Sequence, residues 1–321
     1  MRRCAGLLII LLALPVFAHA QTPARWPARP VTLLVGFPPG SGSDSVARFF
    51  AENMRERTGQ PFIVENQAGA GGNIAARNVA RAAPDGYTVL FTPNSPLTAN
   101  PYLYKNLGFD PVRDFTPVTS LLTQAFVLLV SPSASVNSVG ELVGQLKAQS
   151  GKLAHGAGNA SARIAAELFR SRTGVDFIDV PYKGVPQAFT DLLGGRIHFM
   201  FVDAGFGVPQ LRSGKVKAIA VTTARRITGA PELPTMLESG IKEYELNGWF
   251  AVLFPAGAPK EATDRFAELA NAVMTSDKGV EFLGRFGAEP FPGSPDGLAK
   301  WLASEYAKWG RIIKAAGMEP E

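Results

Sequence analysis

The strongest constraint on this chain is a repeated switch of hydrophobic period, from two to about 3.6 residues, across short glycine-bearing turns. Val31–Val35 is a β-rich run that ends in a Pro/Gly turn. It leads into a helical pattern with Val46, Phe49, Phe50 and Met54 on one face, Ser43 or Asp44 as N-cap and Gly59 as stop. The unit then recurs as strand Phe62–Glu65, turn Gly69–Gly72 and a helix from Ile74 to Ala82, and Asp85-Gly86 turns the chain into strand Tyr87–Phe91. Such alternation predicts right-handed βαβ units and a mostly parallel sheet covered by helices on both faces.

The rhythm restarts after Phe126. Strand Val127–Ser131 precedes a helix with the capping-box pattern Ser138-x-x-Glu141. Strand Leu153–Gly156 leads into helix Ser161–Arg172, and Phe177–Val180, Phe199–Val202 and Ala218–Val221 read as further strands. Trp249–Phe254 is one more, followed by amphipathic helices at Lys260–Met274 and Pro295–Ala316. No repeat and no flexible linker divides the chain. Two βα lobes are therefore expected, with the chain crossing near Thr123 and returning near Asn247: residues 21–122 plus 248–321 in one lobe, 123–247 in the other.

Arg2 and Arg3, the apolar run Ala5–Phe17 and Ala18-His19-Ala20 form a secretory leader, so residues 1–20 are expected to be removed. The run is too short to span a membrane. It carries Cys4 away, and the mature chain, with no cysteine, must rely on its core. Its charge falls to +3, from 30 Lys and Arg against 27 Asp and Glu once Arg2 and Arg3 are lost. The basic residues are scattered, which disfavours nucleic acid. The expected product is a periplasmic, monomeric protein.

Three loops at strand-to-helix turns are candidate binding elements. Phe37-Pro38-Pro39-Gly40-Ser41-Gly42-Ser43-Asp44 combines backbone donors, a helix N-terminus and glycines that admit a ligand, which is the chemistry of an anion cradle. Gly156-Ala157-Gly158-Asn159-Ala160-Ser161 repeats the arrangement in the other lobe, and Asn94-Ser95 follows a third strand. Facing lobes would bring these loops together at the carboxyl ends of their strands. Asp203, closing the buried run Phe199–Val202, reads either as an N-cap or as a cleft residue that fixes a water or a ligand donor.

Catalytic signatures are missing. The mature chain has two histidines, His155 and His198, no H-E-x-x-H and no G-x-S-x-G. Neither a metal site nor a cofactor is expected.

From Pro30 onward the chain resembles the Bug family, the periplasmic solute-binding receptors of tripartite tricarboxylate transporters. The matching stretches are Pro38–Asp44, Val64-Glu-Asn-Gln-Ala-Gly-Ala-Gly-Gly-Asn73, Ala83–Thr88, Asp114–Val118, Pro181-Tyr-Lys-Gly184, Asp191–Gly195 and Pro234-Thr235. The resemblance implies a two-lobed, type II periplasmic-binding-protein fold closing over a small carboxylate, often through bridging waters. The partners it implies are that ligand and, transiently, integral-membrane transporter subunits. It maps the first-lobe loop onto Phe37–Asp44 and the second onto Gly156–Ser161. This chain departs at Ser41, at Ala160 and at Arg163, which stands in place of a usual histidine. Arg163 either pairs with a second carboxylate or faces solvent. Two other classes stand beside the receptor: an exported α/β enzyme acting on a small acidic substrate, and a nucleotide binder resting on Gly156-x-Gly158-x-x-Ser161 with Asp176 or Asp179 beyond.

Overall fold

A computed structural model describes residues 26–285, 287–315 and 317–320; the predicted leader, residues 1–20, and the helix end placed at Ala316 lie outside the described residues. β1 (Val31–Val35) is almost fully buried and passes through a short loop into α1 (Gly42–Thr58). The cap differs from expectation. Ser41, in extended backbone, caps α1 by accepting the Asp44 amide on Oγ at 3.3 Å, so Ser43 and Asp44 fall inside the first turn. Gly59 ends the helix in the left-handed conformation (φ 73°), as its place in the sequence predicts. β2 (Phe62–Asn66), α2 (Asn73–Ala80) and β3 (Thr88–Pro93) follow, and β2-β1-β3 pair in parallel. A widened helical turn, Ser95–Ala99, runs on into α3 (Asn100–Leu103).

β4 (Phe115–Val130) is far longer than the sequence suggests. It extends back from Val127 through Pro117, which is accommodated where the register slips between Pro117 and Thr119. Beyond it come α4 (Val139–Ala148), β5 (Ala154–Ala157), α5 (Ala160–Thr173), β6 (Ile178–Pro181), α6 (Val185–Leu193), β7 (Phe199–Asp203), α7 (Ala204–Arg212) and β8 (Lys217–Val221). The chain returns through β9 (Asn247–Pro255) to α8 (Lys260–Met274), α9 (Asp277–Arg285), β10 (Ala288–Pro290) and α10 (Pro295–Ala315).

The strand order is β2-β1-β3-β9-β4-β7-β5-β6, with β8 and β10 also on β4. From Phe115 to Ala125, β4 pairs antiparallel with β9; from Phe126 onward it pairs antiparallel with β7 and β8. β5 is parallel to both β6 and β7. Parallel pairing thus holds inside each half of the sheet, and the strands that join the halves are antiparallel. That arrangement puts the ends of β1, β3, β5 and β7, and the loops that follow them, around one junction.

Each half has its own aromatic core. Phe50, Phe91, Phe250, Phe254 and Phe266 fill the first, between α1, α8 and the sheet; Phe169, Phe199, Phe201 and Tyr244 fill the second. Each such buried side chain contributes roughly 1.5–3 kcal/mol. α10 spans both halves. Its Leu298 packs with Leu90 and Leu253, and its Trp309 with Phe169 and Tyr244. Between them, buried Glu305 accepts the indole N–H groups of Trp249 and Trp309 at 2.9 and 3.0 Å.

Candidate functional site

The loop after β1 is held by a side chain rather than by its glycines. Asp44 accepts the Gly40 amide (3.0 Å), Arg48 Nε (3.1 Å) and Asn66 Nδ2 (3.0 Å), and Asn66 Nδ2 also reaches the Phe37 carbonyl. Burial acts to raise the Asp44 pKa, but Arg48, Gly40 and Asn66 outweigh it and hold the carboxyl below its ordinary value. Asp44 therefore builds the loop and spends its charge internally. Pro39 and Gly40 are exposed at the loop tip, whereas Phe37, Ser41 and Gly42 are buried. Gly40 takes φ +80° with open space beyond it, so it is glycine for backbone conformation. The amides of Gly42 and Ser43 stand at the head of a 17-residue helix, where the helix itself supplies no acceptor.

The loop after β5 is built differently. Asn159, not Ser161, caps α5, accepting the Ala162 amide at 2.8 Å, and Ser161 lies in the first turn. A Cβ on Gly158 would lie 2.7 Å from the Val185 backbone, and one on Gly156 would overlap Ile197. These glycines, with buried Ala157 between them, let α6 and the Ile197 side chain pack against β5.

Several of the candidates meet. Ser161 Oγ lies 2.8 Å from Ser95 Oγ and accepts a hydrogen bond from Asn94 Nδ2 at 3.2 Å, all three side chains being buried. Asp203 caps α7 by accepting the Phe206 amide at 3.2 Å, which is its N-cap reading. It also sits directly on Gly42: a Cβ there would overlap Asp203 Oδ1 and lie 2.8 Å from Cγ. The heads of α1 and α7 thus converge on one carboxylate, with Gln124 of β4 beside Gly205. Burial pushes the Asp203 carboxyl up to about 6, against the opposing amides of Phe206 and of Asp203 itself.

At the head of α5, where Ala160 precedes Ser161, lies a cavity of about 130 Å³. Gly71, Leu103 and Tyr104 wall it on one side; Ala157–Ala160, Arg163 and Tyr182 wall it on the other. Arg163 is neither a bare surface residue nor an isolated charge, since its Nε lies 2.7 Å from Asp179 Oδ2. Sequence reading missed Asn66, Arg48, Gln124 and the His155–Asp179 pair. Of these only Arg48 left a signal, its i+4 spacing from Asp44. Both histidines are tied into strands: His155 Nδ1 is 2.8 Å from Asp179, and His198 Nδ1 accepts the Ala154 amide at 3.0 Å. Among the described residues no helix is long and apolar enough to cross a membrane, and no cluster of three or more His, Cys, Asp or Glu is placed to hold a metal.

Residues 46–318 match the family described as tripartite tricarboxylate transporter family receptor, TctC. The chain is 32% identical to BugT of Bordetella pertussis, over 99% of this chain and 98% of that protein. The structure of R. palustris Rpa4515 with adipate is similar at a TM-score of 0.90 and 36% identity, covering 92% of this chain and 100% of that one. Periplasmic binding protein BugD follows at 0.88 and 33%, over 92% and 100% of the two chains.

Proposed function

Because this chain belongs to the tripartite tricarboxylate transporter receptor family, we propose that it captures a small carboxylate between the two halves of its sheet and hands it to membrane transporter subunits outside the cytoplasm. The halves act as lobes, divided where β4 and β9 part at Ala125 and Asn247. The ligand carboxylate docks on the amides at the head of α1, Gly42 and Ser43, with Ser161 at the head of α5 and the Asn94-Ser95 turn closing over it. Exported and soluble once its leader is cut, the protein binds without turnover. The observation that carries this reading is the direct contact of Ser161 with Asn94 and Ser95, three buried polar side chains from opposite halves. The adipate in the Rpa4515 structure supports the ligand class.

A thermal-shift screen of the mature protein against mono-, di- and tricarboxylates tests it. A ligand at 100 times its Kd adds about 2.7 kcal/mol and raises the melting midpoint. Small-angle scattering should then show a smaller radius of gyration with that ligand if the free protein opens. No stabilisation by any carboxylate would overturn the reading, and turnover of a small acid by the purified protein would replace it with the enzyme.

A further inference from the structure

One acid lies between two helix heads from opposite halves, and no cation answers it. Asp203 ends β7 and starts α7 in the second half, and its Oδ1 lies against Gly42 at the head of α1 in the first. The residue is only 7% exposed, and the donors that reach its carboxyl are two backbone amides, those of Phe206 and of Asp203 itself. The elements around it supply no counter-charge. β4 and β9 contain no ionisable residue. On α1 the first charged residues, Asp44 and Arg48, pair with each other. In β5 and α5, His155 and Arg163 both bond Asp179, and Asp191 of α6 is bonded by Tyr182 and Arg196. α9, packed on α7, pairs Lys278 with Glu56 and Arg285 with Glu281 and leaves Asp277 exposed. Arg212 and Lys217, at the far ends of α7 and β8, each bond a backbone carbonyl.

A buried carboxylate met by dipoles alone is easier to keep as the neutral acid. Burial raises this one to about 6 against the two opposing amides. A ligand would push it further the same way. Because Asp203 Oδ1 lies against Gly42 itself, a carboxylate docked on the Gly42 and Ser43 amides would stand within a Debye length, about 8 Å at physiological salt. Two like charges so close, in a site shut off from water, do not both ionise readily. A proton on Asp203 removes that repulsion and still leaves an oxygen to accept the Phe206 amide. Resting on the carboxylate-receptor reading, we propose that the protein takes up a proton from solvent together with its ligand and holds it on Asp203, so that capture strengthens in acid. By linkage, the ligand tightens the proton by the same factor as the proton tightens the ligand. If the free protein opens, closure buries the carboxyl anew and adds to the uptake.

Isothermal titration with acetate, benzoate, malate and adipate between pH 6.5 and 8.5, where the ligands' own carboxyls stay ionised, tests the proposal. Wild-type affinity should fall by about fivefold or more across that rise, the low end of coupling between two sites. At pH 7, heats measured in PIPES and in Tris, whose ionisation heats differ, should report uptake of about half a proton or more per ligand. Asp203→Asn keeps the cap. It should flatten the pH profile, abolish the uptake, and bind at pH 8.5 at least as tightly as wild type. A slope that survives in Asp203→Asn puts the proton on another group, such as a histidine, and overturns the proposal. So does a wild type whose affinity is flat and whose heats agree in the two buffers; the receptor reading then stands. Binding of none of the four acids overturns the receptor reading and the proposal with it.

Discussion

The two glycine-rich loops look alike as sequence and are built for opposite reasons. In Phe37–Asp44 the critical glycine faces away from its own half: Gly42 is small because Asp203 of the other half lies on it. In Gly156–Ser161 the glycines face inward, Gly158 making room for Val185 and Gly156 for Ile197, both in the same half. The first loop is clamped by the Asp44 carboxylate; the second is held by packing and by the Asn159 cap. A glycine at a helix head can thus serve either closure between halves or folding within one. Only the contacts it makes decide which.

Gly42→Val tests the closure role and should have the largest effect. The new side chain would overlap Asp203 Oδ1, the oxygen that accepts the Phe206 amide, so the protein should still fold but lose up to about 1 kcal/mol, the contribution of one helix cap. Ligand binding should fall by about a hundredfold or more, equivalent to about 2.7 kcal/mol. Normal affinity by calorimetry would mean the halves do not meet at Gly42 in the bound state.

Asp203→Asn sharpens the same contact through pH. The folded carboxyl, raised by burial to about 6 from 3.8, binds a proton that the unfolded chain has already lost between those values. Wild-type stability should therefore fall as pH rises from about 4 to about 6, and above that the buried charge costs on the order of 3 kcal/mol. Asn is neutral and caps a helix as well as Asp. The variant should melt higher than wild type at pH 8, with the gap closing below about pH 4. Equal midpoints at pH 8 would show that the free protein opens and rehydrates Asp203.

Gly158→Ala is the counterpart to Gly42→Val, and its damage should lie in the fold. The added methyl meets Val185 backbone at 2.7 Å, an overpacking cost of roughly 1–3 kcal/mol that denaturant unfolding would read. If Gly158→Ala lost ligand affinity yet kept wild-type stability, the contrast between the loops would collapse.

What the sequence made legible follows from range. Signals that act within one turn were readable: Gly59 as a stop, Ser138 and Glu141 as a box (the Glu141 amide does reach Ser138 Oγ, at 3.2 Å), and Asp203 as a cap. Signals that need a partner strand were not. His155 and Asp179 stand 24 residues apart and meet only because β5 and β6 adopt one particular register. The first stretch of β4 hid for a related reason. Pro117 argues against a strand until β9 supplies a partner and register shifts supply the slack. Asn66 joins the first loop from β2, a contact 22 residues long that no local pattern encodes.

The smallest expected effects come from the caps, and they test whether the loops differ in how they are held. Ser41→Ala and Asn159→Ala each remove one N-cap bond, a loss of about 1 kcal/mol in an ordinary helix. In the first loop, Asp44 still binds Gly40, Arg48 and Asn66 after Ser41 loses its hydroxyl, so the head of α1 stays tied from several sides. In the second, Asn159 is the side chain that caps α5, and Ser161 inside the turn bonds across to the other half rather than to its own helix. Asn159→Ala should therefore cost more than Ser41→Ala in urea unfolding at pH 7. The Asp44 clamp can be withdrawn by acid: its carboxyl ionises below the ordinary range in the folded chain, so its contribution is full above the unfolded value of 3.8 and fades as pH falls through the lower folded one. Across that fall the cost of Ser41→Ala should rise toward that of Asn159→Ala. Two equal costs at pH 7 would mean that Asp44 does not hold the loop, and the first loop would then depend on its cap as much as the second.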